Sequence, residues 1–130
     1  ANAVAAGSRP LSSMTPTLVF KDGKPWLATG SPGGSQIITT VVQTLLNMMA
    51  FDMTLGLATS SPRIHHQWMP DHALVEPGIS VDTTNLLEQS KHTIIRSNST
   101  TGRVNSVQIE DGWFYGYADL RRPGGHVATW

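Results

Sequence analysis

The sequence predicts an α+β fold in which antiparallel strands pack against helices. Asp22-Gly23 and Asp111-Gly112 each separate two apolar runs, and Asp-Gly between such runs is a strong hairpin signal. Between the hairpins, apolar residues recur at three- and four-residue intervals over residues 35–51, which is typical of a helix with one buried face. Hairpins combined with amphipathic helices favour an antiparallel sheet covered by helices.

The first half of the chain predicts one hairpin and one long helix. Strands are expected at residues 17–20 and 26–29, and residues 21–24 form the turn between them. A Gly-rich turn at residues 29–35 then opens into the helix. The residues expected on the buried face of this helix are Ile37, Ile38, Val41, Val42, Leu45, Leu46 and Met49.

The second half predicts shorter elements. A helix over residues 55–59 is stopped by Ser61-Pro62, and residues 63–71 are polar, aromatic and irregular. Ser80 or Asp82 caps a helix that runs to about Ser90, with Leu86 and Leu87 expected to face inward. The predicted strands are residues 74–76, 92–96, and the hairpin pair 104–109 and 113–118.

Composition bounds the function. The 130 residues include 9 basic and 9 acidic side chains and no cysteine, so nucleic-acid binding has no electrostatic support, and disulfides, thiolate catalysis and Cys-zinc sites are excluded. Charged residues make up 14%, against about 25% in a typical domain, which suggests surface covered by a partner.

No apolar run reaches the roughly 18 residues of a membrane span. The N-terminus lacks signal-peptide features and an initiating Met, so we expect a processed, cleaved or incomplete chain.

Three groups of residues are candidates for chemistry. The Gly-rich turn at residues 29–35 places free backbone N–H groups at a helix start, where they can hold an anion or the oxyanion of acyl transfer. From these residues alone, a tight turn that caps a core helix is the favoured interpretation. Ser12 and Ser13 lie between two prolines and suit binding of a carboxylate, although a structural serine pair is favoured by composition. His65, His66 and His72 have no recognised ligand spacing, so structural hydrogen bonding is favoured over a metal site.

Taken together, these segments resemble the γ-glutamyltranspeptidase (glutathione hydrolase) family. The residues that carry the resemblance are 9–17 (RPLSSMTPT), 29–35 (TGSPGGS) with 37–41 (IITTV), and 61–71 (SPRIHHQWMPD). Order and spacing agree over nearly the whole chain, more loosely after Leu74. The resemblance identifies residues 1–130 as the C-terminal segment of the family's small subunit.

The resemblance implies a fold and a chemistry. The expected fold is the αββα sandwich of N-terminal-nucleophile hydrolases, made as a precursor that cuts itself into a large and a small subunit. The new N-terminal threonine attacks the γ-glutamyl carbonyl, and the resulting ester passes to water or to an amino-acid or peptide acceptor. Gly33 and Gly34 then correspond to the oxyanion hole, and Ser12 and Ser13 to the groups that hold the glutamyl α-carboxylate. No cofactor is implied, and bacterial members are commonly periplasmic or secreted.

Two departures from the family pattern matter. The nucleophilic threonine and its motif are not in this chain, so we expect the chain alone to be inactive and its partners to be the remaining small-subunit segment and the large subunit. Asp119-Leu120-Arg121 replaces the usual Asp-Pro-Arg. From the residues alone, Asp119 with Arg121 and Arg122 is interpreted as a salt-bridged turn. The alternatives are a related acylase, such as a cephalosporin acylase-like or capsule-processing enzyme, and a scaffold homologue without the nucleophile.

Overall fold

The computed structural model describes residues 3–9, 15–121 and 123–129. The strands are β1 (Thr17–Lys21), β2 (Lys24–Gly30), β3 (Ile64–His65), β4 (Ala73–Val75), β5 (Ile94–Arg96), β6 (Asn105–Glu110) and β7 (Trp113–Ala118). The helices are α1 (Ile37–Met49), α2 (Leu55–Ser60) and α3 (Val81–Gln89), and a 3₁₀ turn at Gly34–Gln36 precedes α1.

The two predicted hairpins are present and form one sheet. Its strand order is β1-β2-β6-β7, and all neighbours are antiparallel. Both turns have two residues with positive φ, 52° and 74° at Asp22 and Gly23 and 50° and 81° at Asp111 and Gly112. These values match the turn whose twist suits a hairpin, which is the reason for the Asp-Gly pairs.

Helices α1 and α2 cover one face of this sheet. Leu27 of β2 packs there with Met48 of α1 and with Leu55 and Ala58 of α2, and all four side chains are buried. Thr54 caps α2 by accepting a hydrogen bond from the Leu57 amide. The expected α+β arrangement of an antiparallel sheet with packed helices is therefore confirmed.

The predicted buried face of α1 is only partly right. Of the residues expected there, Ile37 and Val41 are buried and Leu45 is partly buried against the core. The other four are exposed, namely Ile38, Val42, Leu46 and Met49, and Met48, which was not expected on this face, is buried. Buried threonines, Thr40 and Thr44, complete the inner face. Apolar residues extend around more than half of the helix, so their spacing could not tell which arc meets the sheet.

A second sheet departs from the prediction in two ways. Its order is β3-β4-β5, in which β3 was not expected and β4 pairs with β5 in parallel. Helix α3 connects β4 to β5, and such a connection returns the chain in the same direction, as parallel pairing requires. The inward orientation expected of Leu86 on α3 is wrong, because this side chain is 62% exposed and Thr84 is the buried residue of the helix.

Among the described residues, no helix combines the length and the apolar character needed to cross a membrane.

Candidate functional site

The Gly-rich segment connects β2 to the helical layer. β2 ends at Gly30 and the 3₁₀ turn begins at Gly34. Gly33 has a φ of 147° and Gly34 a φ of 58°, which are conformations that favour glycine. The Gly33 carbonyl accepts a hydrogen bond from the Gln36 amide at 3.1 Å, whereas neither glycine N–H has an acceptor among the described residues. Both glycines are exposed, so these two amides are free to bind a negatively charged oxygen.

A second glycine supports this loop from the other side. A Cβ atom on Gly33 would lie 3.3 Å from the Cα of Gly102, so the two backbones are in close contact. The Ser31 hydroxyl accepts a hydrogen bond from the Arg103 amide at 2.8 Å and donates to the Pro32 carbonyl at 2.7 Å. The conformation of the Gly-rich loop therefore depends on residues 102 and 103, about 70 positions away in the sequence.

A cavity of about 350 Å³ opens between these two segments. Its lining residues are Pro32, Gly33, Gln36, Gly102, Arg103 and Pro123. The half-buried Arg103 side chain brings a guanidinium group to the cavity, and its Nη2 donates to the Pro123 carbonyl. A candidate oxyanion-binding amide and a cation thus share one cavity.

The predicted carboxylate-binding serines, Ser12 and Ser13, lie outside the described residues. The chain enters the described part at Thr15, directly after that segment. A Cβ atom on Gly30 would lie 3.9 Å from the Thr15 carbonyl oxygen and from the Pro16 Cα. Residues 15 and 16 therefore pass beside the strand end that precedes the Gly-rich loop.

His65 takes part in a hydrogen-bond network at the start of α1. Its Nδ1 lies 2.7 Å from the Thr39 hydroxyl and its Nε2 lies 3.0 Å from Gln67 Oε1. Gln43 of α1 donates to the Ile64 carbonyl at 2.7 Å and accepts from the Ile64 amide at 2.9 Å. The structural role favoured for His65 is thus observed, and the network joins β3 to α1.

His66 also forms hydrogen bonds rather than joining a metal cluster. Its Nε2 lies 3.3 Å from Asp71 Oδ1, and its Nδ1 accepts from the Trp68 amide at 3.0 Å. Within the described part of the chain, no three His, Asp or Glu side chains come close enough together to hold a metal ion.

Two arginines and two carboxylates form a buried ion cluster behind the site. Asp119 accepts from Arg63 Nη1 at 3.1 Å, and Arg121 contacts it with two nitrogens at 2.9 and 2.8 Å. Arg121 Nη1 also donates to Glu76 at 2.7 Å. Arg63, Glu76 and Asp119 are each at most 2% exposed, so the four formal charges compensate one another in the interior.

The cluster also fixes the segment that supports the Gly-rich loop. Glu76 Oε1 accepts hydrogen bonds from the Thr101 amide and, at 2.6 Å, from its hydroxyl. Arg63 donates to the Thr101 carbonyl at 3.0 Å. Because Thr101 precedes Gly102, the ion cluster positions the backbone on which Gly33 packs.

The charges in the cluster shift one another's pKa values. Burial by itself raises the pKa of Asp119, but hydrogen bonds and positive charge from Arg121, and then from Arg63, outweigh it and hold the pKa below its usual value. Burial and the neighbouring Arg121 lower the pKa of Arg63. For Arg121, burial is outweighed by Asp119 and Glu76, which raise its pKa. Asp119 is therefore ionised well into the acidic range.

The sequence predicted part of this arrangement. In the predicted salt-bridged turn, the ion pair of Asp119 with Arg121 is confirmed, and Arg122 lies outside the described residues. The roles of Arg63, Glu76 and Arg103 were missed. Glu76 directly follows the apolar pair Leu74-Val75 in a predicted strand. A charged side chain in such a position is rarely buried unless it is paired, so Glu76 was the available indication of a buried ion pair. Nothing in the sequence placed Gly102 against Gly33.

The sequence matches known proteins over nearly its whole length. Residues 1–129 match the family described as Gamma-glutamyltranspeptidase. The glutathione hydrolase proenzyme of Escherichia coli is 50% identical over 93% of this chain, which spans 21% of that relative. The proenzyme of Bacillus subtilis is 42% identical over 98% of this chain, which spans 22% of that relative. The chain thus spans about a fifth of the length of these relatives.

Solved structures agree with these matches. A γ-glutamyltranspeptidase variant from Helicobacter pylori superposes with a TM-score of 0.83 at 42% identity, covering 93% of this chain and 67% of that one. A cephalosporin acylase from Bacillus halodurans gives 0.77 at 26% identity, covering 85% and 21%. The observed sheet and helices are therefore part of an N-terminal-nucleophile hydrolase fold, and the acylase is the weaker match. The match over residues 1–129 shows that this chain belongs to the γ-glutamyltranspeptidase family.

Proposed function

We propose that this chain is part of a γ-glutamyltransferase that cleaves the γ-glutamyl amide of glutathione and related compounds. In this proposal, an N-terminal threonine of the processed precursor attacks the γ-carbonyl carbon. The released amine leaves, and water or an amino-acid or peptide acceptor takes the γ-glutamyl group from the threonine ester. Residues 1–130 are the C-terminal segment of the small subunit.

The pair of free amides at Gly33 and Gly34 carries the proposal. When the nucleophile adds to the carbonyl, its oxygen becomes negatively charged, and two fixed N–H donors stabilise that charge more than they stabilise the neutral carbonyl. The donors belong to a loop that Gly102 and Ser31 hold in place, so little reorganisation is needed during the reaction. We assign the oxyanion hole to Gly33 and Gly34.

We assign binding of the glutamyl α-carboxylate to Ser12 and Ser13. The assignment rests on the family resemblance of residues 9–17 and is supported by the path of residues 15 and 16 beside Gly30. Two neighbouring hydroxyls can donate to both oxygens of a carboxylate, and prolines on either side in the sequence limit the entropy lost on binding.

The partner that we propose is the remainder of the same precursor, divided into large and small subunits. The sheet face opposite α1 and α2 supports this, because Leu18, Phe20, Val107 and Phe114 are exposed there by 69, 60, 40 and 71%. Ala28 pairs with both Leu18 and Val107, so one apolar row crosses the sheet. Such a surface fits a second protein layer, and the relatives that the chain matches are about five times longer.

A matched pair of glycine variants tests the proposal in the complete precursor. Gly34→Ala and Gly23→Ala both place a methyl group in open space at a positive φ, 58° and 74°, but only Gly34 supplies a proposed oxyanion donor. We expect Gly34→Ala to lower kcat for γ-glutamyl-p-nitroanilide about 100-fold, since small displacements of catalytic groups cost this much, and Gly23→Ala to leave kcat unchanged. Equal effects of the two variants would contradict the assignment.

The wild-type precursor distinguishes the alternatives. Self-cleavage seen by mass spectrometry together with γ-glutamyl-p-nitroanilide hydrolysis supports the proposal. Cleavage with hydrolysis of acyl side-chain amides only would indicate the acylase, and neither activity would indicate a scaffold. We also propose, from the family resemblance, that the enzyme is periplasmic or secreted, which cell fractionation of the source organism tests.

A further inference from the structure

The guanidinium group of Arg103 is held beside the candidate oxyanion hole without a counter-charge from the described residues. No described carboxylate pairs with it, in contrast to Arg63 and Arg121, which share Asp119. Its Nε is buried and has no hydrogen-bond partner in the described part of the chain. The unpaired Nε leaves this charge partly desolvated, and an anion that binds the accessible part of the guanidinium group offsets that cost.

The position of this group is well defined. The Arg103 amide is fixed by the Ser31 hydroxyl, and its Nη2 donates to the Pro123 carbonyl. A Cβ atom on Gly124 would lie 3.1 Å from Nη2, so the turn after β7 packs directly on the guanidinium group. The group is therefore oriented before any ligand arrives, which reduces the entropy lost on binding.

We propose that Arg103 binds a carboxylate of the γ-glutamyl compound in the cavity that it shares with Gly33. The inference rests on the proposed function, because that function brings a carboxylate-bearing substrate to Gly33 and Gly34. The planar guanidinium group matches a carboxylate with two parallel hydrogen bonds. Because the α-carboxylate of the glutamyl group is assigned to Ser12 and Ser13, the carboxylate for Arg103 is the one at the far end of the leaving or accepting peptide.

Three substrates and two variants test the inference in the complete, processed protein. Glutathione carries both carboxylates, its C-terminal amide lacks the terminal one, and γ-glutamyl-p-nitroanilide carries the α-carboxylate only. Arg103→Gln removes the charge, and Arg103→Lys keeps it. Arg96→Gln is the matched control, because this exposed arginine contacts Thr84 and does not line the cavity.

The expected result is a rise in KM of about 2- to 5-fold in Arg103→Gln, the range for a partly exposed charge pair, with partial recovery in Arg103→Lys. A rise for glutathione but not for its amide or the anilide identifies the terminal carboxylate. An equal rise for all three substrates, two of which lack the terminal carboxylate, overturns the inference. Unchanged KM values for all three, or equal changes in Arg96→Gln, overturn the inference.

A measurement on the wild-type protein keeps the inference testable if Arg103→Gln does not fold. Added NaCl screens a partly exposed charge pair, so KM for a substrate that retains the bound carboxylate is expected to rise with salt. Salt-independent KM values for all three substrates would contradict a role for Arg103. If the wild-type protein hydrolyses none of the three substrates, the proposed function is contradicted. If the wild type hydrolyses them and the Arg103 variants have unchanged KM values, only this inference is contradicted.

Discussion

Removing the Asp119 carboxylate is the most direct perturbation of the ion cluster behind the site. In Asp119→Ala, Arg63 Nη1 loses its acceptor at 3.1 Å, and Arg121 loses those at 2.9 and 2.8 Å. Arg63 is 1% exposed, so water cannot replace the lost partner without opening the structure. We expect Asp119→Ala to destabilise the protein strongly.

The magnitude follows from the contacts that remain. Removing one partner of a buried ion pair costs about 3 to 5 kcal/mol, because the other charge stays buried. Arg63 keeps the carbonyls of Thr59 and Thr101, and Arg121 keeps Glu76, which places the expected loss near the lower end, about 3 kcal/mol. Asp119→Asn keeps the shape and loses the charge, so its expected cost is about 2 kcal/mol.

Urea unfolding followed by tryptophan fluorescence measures these losses in the complete protein. For a slope of about 1 to 3 kcal/mol per molar urea, Asp119→Ala lowers the midpoint by about 1 to 3 M. Glu88→Ala is the control, since this exposed carboxylate of α3 lies outside the cluster, and its expected change is within about 0.5 kcal/mol. Similar midpoints for Asp119→Ala and Glu88→Ala would refute the reasoning.

Three further outcomes are expected. The pKa of Asp119 lies below its usual value, so the stabilising contribution of its carboxylate is complete above about pH 4 and is lost as pH falls through the folded-state pKa. The urea midpoints of the wild type and Asp119→Asn should therefore converge on acidification. A constant difference between the two midpoints would contradict this. Gly102→Ala places a Cβ atom 2.6 Å from Ser31 Oγ and 2.7 Å from Thr40 Cγ2 at a φ of 65°. Thermal unfolding should show that the free energy of unfolding falls by about 2 to 5 kcal/mol. An unchanged melting temperature would argue against the close packing. Thr29→Val leaves the buried Ser106 hydroxyl without its partner at 2.7 Å and should lower the free energy of unfolding by about 1 to 3 kcal/mol. Adding Ser106→Ala should restore most of this stability, because no unpaired hydroxyl remains. Strictly additive losses in the double-mutant cycle would exclude the coupling.

Local signals predicted much of the fold. Asp22-Gly23 and Asp111-Gly112 specified their hairpin turns, because few residue pairs adopt two consecutive positive φ values. The Gly-rich turn before α1 was located because glycines adopt backbone conformations that are closed to other residues. The pairing of Asp119 with Arg121 was predicted because they are two residues apart. The assignments at Ser12, Ser13, Gly33 and Gly34 came from the family resemblance and stay predictions.

Features that depend on distant residues were not predicted. Periodicity identified α1 but not its buried arc, since Thr40 and Thr44 face the interior while Ile38 and Leu46 do not. The parallel pairing of β4 with β5 was missed because the signals of a single strand do not reveal the direction of its neighbour.

The sequence by itself determined the turns, most of the strands and helices, and the family, because each of these is encoded in residues close together in the chain. Only the tertiary structure brought Gly102 against Gly33, Arg103 into the same cavity, and Arg63 and Glu76 to Asp119 and Arg121. These contacts join segments up to about 70 residues apart. Burial of the contacting groups changes the free energy of each charge and hydrogen bond, and this change cannot be predicted from residues that are neighbours in the sequence.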